Sequence, residues 1–174
     1  MKKIFAGVVL MLSFGLYAQE EVKQPKWEIS GGTSSSLSFV GIGQNRTTSF
    51  VFNVGADYFV AKNVAVGIII QTGIASMLKT VAFLPDVVFN IRLADQDIRN
   101  AFFIGIGAGV VYATSDNGAG VHASDSTFVG AIEIGKRFKL SESICYTPNI
   151  STFFYASPSS ASLDVNPVAF SLFL

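Results

Sequence analysis

Few residues in this 174-residue sequence carry groups that catalysis or metal binding requires. His122 is the sole histidine, and it falls in the stretch SDNGAGVHAS, Ser115 to Ser124. Ser124 and Ser126 are close in sequence. A serine nucleophile and its histidine base must stand on ordered elements within hydrogen-bond reach, and a Gly/Ser-rich loop offers no such frame. Asp116, Asn117 and Asp125 have the oxygen donors that calcium takes, but their spacing lacks the EF-hand pattern, so a solvated loop is the better reading. Gly105-Ile106-Gly107-Ala108-Gly109 superficially looks like a phosphate loop, yet no helix follows it and no Lys-Ser/Thr completes it. Cys145 is the only cysteine, which excludes an intramolecular disulfide and a multi-cysteine metal site. Its parity turns it inward as an inert small residue. No catalytic residue, cofactor or metal site is expected, and the chain is not expected to be an enzyme.

More informative are five charges that share one parity within alternating segments: Asp57, Asp86, Arg92, Glu133 and Arg137. Unpaired charges in a low-dielectric interior are costly. These five are therefore expected to form an interior ion-pair network, with Glu133–Arg137 and Asp57–Arg92 as candidate pairs. Such a network could plug or gate a narrow path; filling space and fixing register is the plainer role.

The elements that must position these charges are long strands. In Ser49 to Ser76, Phe50, Phe52, Val54, Ala56 and Tyr58 alternate with Val51, Asn53, Gly55 and Asp57. After the turn Ala61-Lys62-Asn63 the alternation resumes through Val64, Val66, Ile68, Ile70 and Ile74. Each strand of this hairpin runs to roughly ten residues or more, the length a tilted strand needs to cross a bilayer. The same pattern marks eight strands in all: one from Trp27, the hairpin, one through Val81 to Ile91, one from Phe102 to Tyr112, Thr127 to Phe138, Ile144 to Ala156, and one through Val168 to Leu174. Pro85 and Pro148 are expected to break their ladders locally. The fold class is all-β, an eight-stranded antiparallel up-and-down barrel.

Half of the chain is hydrophobic and 14% is charged, with a mean hydropathy of +0.49. No internal apolar run is long enough for a spanning helix. Alternation alone fits a lipid-facing barrel or a soluble one of lipocalin type. The polar face here is largely Gly, Ala, Ser and Asn, which suits a cramped interior better than a wetted surface, so lipid is placed outside. Lys136 then has outward parity and must snorkel at an interface or sit at a bulge. Trp27, Tyr58, Phe59, Phe102, Phe138 and Tyr146 at one level, and Phe39, Phe83 and Tyr112 at the other, suit two aromatic girdles. Met1 to Ala18 has the build of a signal peptide, with Lys2-Lys3, an apolar run from Ile4 to Leu16 and cleavage after Ala18. This leaves residues 19–174 as the barrel domain. The whole chain has 12 basic and 12 acidic residues; losing Lys2 and Lys3 leaves a slight acidic excess and no basic patch, so nucleic acid is not an expected partner.

GADYFVAKNVAVGI, FFIGIGAGVVY and the closing FSLFL, within a resemblance running from Trp27 to Leu174, make the chain similar to the small outer-membrane β-barrel proteins typified by the OmpA transmembrane domain and OmpX. The resemblance implies the outer membrane of a Gram-negative bacterium, and counting strands from a periplasmic N-terminus puts the turns near residues 61–63, 94–100 and 139–143 in the periplasm. The connections near 41–46, 76–79, 115–124 and 157–162 would be extracellular. It also implies partners in membrane lipid, lipopolysaccharide and, during biogenesis, the barrel-assembly machinery, with a monomeric state. The expected role is structural or interactive within the cell envelope. A narrow pore for small solutes is the alternative, and a lipid-modifying enzyme a more distant one.

Overall fold

The computed structural model describes residues 25–40, 46–75, 78–92, 96–116, 122–156 and 160–174. The expected signal peptide, Asn117 and the tips of the expected extracellular connections lie outside these residues. Ten strand segments follow one another: β1 (Trp27–Val40), β2 (Arg46–Ala61), β3 (Val64–Ala75), β4 (Leu78–Ile91), β5 (Phe102–Asp116), β6 (His122–Lys136), β7 (Phe138–Lys139), β8 (Ile144–Tyr146), β9 (Asn149–Tyr155) and β10 (Ser160–Phe173). Arg137 separates β6 from β7, and Thr147-Pro148 separates β8 from β9, so the ten segments make eight staves. Each stave is antiparallel to its neighbours, and β10 returns to pair with β1 from Glu28↔Phe173 to Val40↔Ser160. Among the described residues the eight staves close into a ring.

Alternation decides which side chains face out. Phe50, Phe52, Val54 and Tyr58 are exposed while Val51, Gly55 and Asp57 between them are buried. On β6, Phe128, Ile132 and Ile134 are exposed, Phe128 to 74%. Arg137, by contrast, is 2% exposed. A soluble barrel would reverse this arrangement. An apolar outer wall around a polar interior is stable only against lipid, where closure satisfies every backbone group internally.

The prolines act where the sequence placed them. Pro148 lies in the gap between β8 and β9. The β4–β5 pairing skips from Phe83↔Val110 to Asp86↔Gly107 around Pro85. At that gap the chains approach closely, and a Cβ on Gly109 would run into the Phe83 carbonyl oxygen. Two connections differ from expectation. β5 and β6 continue to an Asp116↔His122 pair, into the segment expected as a loop, because ladder hydrogen bonds persist beyond the apolar band. The turn after β4 contains a short 3-10 helix, Ile98–Asn100, capped by the Asp97 side chain. It tucks Ile98 into the barrel mouth against Cys145 and Phe173. Phe59 is also displaced from its expected girdle position. Its parity is opposite to that of Tyr58, and it packs inside against Phe173 with ring centroids 6.2 Å apart.

Candidate functional site in the barrel lumen

The lumen is organised around Arg137, which enters where β6 gives way to β7. Its guanidinium donates from Nε to Glu28 Oε1 (2.9 Å) and from Nη2 to Glu28 Oε2 (2.6 Å), a bidentate pair with both side chains almost fully buried. Nη1 donates to Asn90 Oδ1. The guanidinium carbon lies 4.6 Å from the Phe103 ring centroid and 5.7 Å from that of Phe173. This planar cation lies between two rings with three acceptor atoms in reach, which fixes it in place.

Register places the acids beside it. Glu28 pairs across β1–β2 with Asp57, Asp57 with Gly67, Gly67 with Asp86, and Asp86 with Gly107. From Asp57 to Gly107, carboxylates therefore alternate with glycines around the wall. The absent side chains of Gly67, Gly105 and Gly107 leave the room that Asp57, Glu133 and Asp86 occupy. Glu28, Asp57, Asp86, Glu133 and Arg137 all line one internal cavity of about 60 Å³. Further along the lumen, Asn53 Nδ2 reaches Asn166 Oδ1 (3.3 Å), Asn166 Nδ2 reaches Asn149 Oδ1 (2.6 Å) and Gln71 Nε2 reaches Asp164 Oδ2 (2.9 Å). Ala82, Leu84, Val111, Val129 and Phe153 then form a buried apolar cluster.

Four of the five charges singled out from the sequence thus surround one cavity. Arg92 stands apart. β4 ends at Ile91, and Arg92 donates to Asn63 Oδ1 (2.7 Å) and to the Gln96 and Lys62 carbonyls of the turns. Arg137 takes Glu28 as its bidentate partner, a residue that sequence reasoning left out of the network. Its signal was available: Glu28 lies between outward-facing Trp27 and Ile29 and so shares the inward parity. Cys145 is fully buried at the barrel mouth, its thiol 3.5 Å from the Arg99 carbonyl oxygen. Lys136 keeps its outward parity; its Nζ donates to the Asn100 carbonyl (2.8 Å) and lies 4.1 Å from the Phe102 centroid.

A second cluster laces two turns together beneath the barrel. Arg99 bridges Asp97 (2.8 Å) and Glu142 (3.1 Å), and Lys139 bridges Asp97 (3.3 Å) and Glu142 (2.9 Å). Partial burial would raise the Asp97 carboxyl, but hydrogen bonds from the Arg99 side chain and backbone and from Lys139 outweigh it and hold the group at about 2. The hydrogen bond from Lys139 holds the Glu142 carboxyl below its ordinary range.

Comparison by sequence finds no match, either among protein-family models or among curated proteins. Comparison by structure does. Neisserial surface protein A superposes with a TM-score of 0.72 at 7% identity, covering 88% of this chain and 100% of that one. The N-terminal β-barrel domain of Pseudomonas aeruginosa OprF gives 0.58 at 8% identity, over 86% and 100%. Ail, the attachment invasion locus protein of Yersinia pestis, gives 0.57 at 15% identity, over 86% and 98%. With its apolar outer wall, closed meander of eight staves and packed polar lumen, this chain has the fold of the small outer-membrane β-barrels.

Proposed function

We propose that the protein is a non-catalytic resident of the Gram-negative outer membrane with a structural or interaction role in the envelope. The observation that carries this reading is a lumen filled at two levels inside a lipid-facing wall. Arg137, Glu28 and Phe103 fill the periplasmic level, and Leu84, Val111 and Phe153 fill the level beyond. An eight-stranded barrel packed in this way has no wide aqueous path, which argues against a solute pore. Its working surfaces are then the wall and the extracellular connections. The wall meets lipid and lipopolysaccharide, and insertion as a monomer falls to the barrel-assembly machinery. Among the structural neighbours, Ail is named for attachment and is also known in complex with the heparin analogue sucrose octasulfate, which supports an interaction role. Reconstitution in planar bilayers tests the reading. Silence is the expected result, and sustained unitary conductance would overturn it in favour of a pore.

A further inference from the structure

The lumen contains more buried carboxyl groups than its own cation can pair. Around the cavity, the described lining residues include four carboxylates, Glu28, Asp57, Asp86 and Glu133, and one guanidinium, Arg137. Arg137 is already committed to both oxygens of Glu28. Asp57 and Asp86 are each 7% exposed, and the Oδ1 atom of each is buried without a hydrogen-bond partner. A buried anionic acceptor left unsatisfied is among the most costly features a fold can retain. Gly67 lies between these two residues in the register, the Asp57 carboxyl extends over it, and Asp57 and Asp86 both line the cavity.

We propose that this space is a binding site for a single, partly hydrated divalent cation of the Mg²⁺ class, held between Asp57 and Asp86. Charge favours a divalent ion, because three carboxyls remain once Glu28 is paired with Arg137, and two of them, Asp57 and Asp86, would match its charge. Geometry selects one that keeps its water. Among the described residues no three acidic, histidine or cysteine side chains converge closely enough to hold a bare ion. Ca²⁺ would demand six to eight oxygen ligands, whereas Mg²⁺ is ordinarily bound through one or two carboxylates and retains several waters. The cavity of about 60 Å³ has room for an ion with a few waters, at roughly 10–15 Å³ for each water-sized occupant. Ser30, Asn53 and Ser151 on its walls supply groups that can bond those waters.

The test uses barrel refolded in detergent without lipopolysaccharide and stripped with a chelator, with Mn²⁺ as the probe. Loss of the six-line resonance of free Mn²⁺ should report one ion per barrel, displaced by Mg²⁺ more readily than by Ca²⁺. Asp57→Asn and Asp86→Asn should each weaken binding by about tenfold or more, while the exposed control Asp125→Asn leaves it unchanged. Heat-modifiable gel mobility checks that each variant is folded. A free Mn²⁺ signal undiminished by wild-type barrel would overturn the proposal without recourse to any variant. So would binding that survives in both folded variants, which would move the ion to the surface. A wild-type barrel that binds no Mn²⁺ and gains stability on mild acidification would assign the space to protons instead, and would equally overturn the cation site.

Discussion

Arg137 shows what one inward position can do. Its charge is bonded on three sides by Glu28 and Asn90 and covered by Phe103 and Phe173. Removing it strands Glu28 and three neighbouring acids in a low-dielectric lumen. Arg137→Ala should therefore destabilise the barrel by about 3–5 kcal/mol in urea unfolding from lipid bilayers. A double variant, Glu28→Leu with Arg137→Met, should recover much of that loss, because it removes the pair and not only the cation. Asp97 behaves differently, since its partners Arg99 and Lys139 lie in the turns. The folded state holds its carboxyl at about 2, below the ordinary 3.8. As pH falls, the unfolded chain takes up the proton first. The stabilisation is complete above the unfolded value and is lost as pH falls toward about 2. The difference in melting temperature between wild type and Asp97→Asn should accordingly shrink between pH 4 and pH 2 by this residue's contribution. A difference constant across that window would contradict the assignment.

Among the elements, β4 and β5 illustrate how glycine spacing sets the approach of two staves. Beside the ladder gap at Pro85, a Cβ at Gly109 would meet the Phe83 carbonyl oxygen, a backbone atom with little freedom to move. Gly109→Ala should cost about 1–3 kcal/mol as over-packing. Gly130, on β6, has nothing within 4 Å of an added Cβ. Gly130→Ala should be neutral or stabilise by up to about 1 kcal/mol, by restricting the unfolded chain. Parallel unfolding titrations of the two variants read the contrast directly. The apolar level of the lumen depends on the same staves. Leu84 is 1% exposed within the cluster that also holds Phe153, and Leu84→Ala should cost about 2–5 kcal/mol through the cavity it leaves.

At the scale of the whole molecule, closure joins these pieces. β10 pairs with β1 over most of both strands, so among the described residues every stave has two neighbours and the ring is closed. A closed barrel of this kind resists detergent until it is heated. The native chain should thus migrate faster on a gel before boiling than after, and should be recovered in the outer-membrane fraction. Migration unchanged by boiling, or recovery as a soluble periplasmic protein, would contradict the lipid-outside arrangement. The pairs Trp27–Tyr58 (4.9 Å) and Phe138–Tyr146 (6.0 Å) form an aromatic level at one end of the barrel, where amphipathic rings suit a headgroup layer.

By itself the sequence determined the number of staves, their inward and outward faces and the prolines that break them, because a period of two is written residue by residue. Parity also marked Asp57, Asp86, Glu133 and Arg137 as interior. Tertiary structure decided who meets whom. Register between staves brought Glu28, not Glu133, onto the Arg137 guanidinium, set Gly67 between Asp57 and Asp86, and left Arg92 in the turns beyond β4. It also folded Ile98 and Phe59 into the mouth of the barrel. Periodicity fixes the face of a strand, but the stagger between neighbouring strands and the path of a turn arise only when the barrel closes.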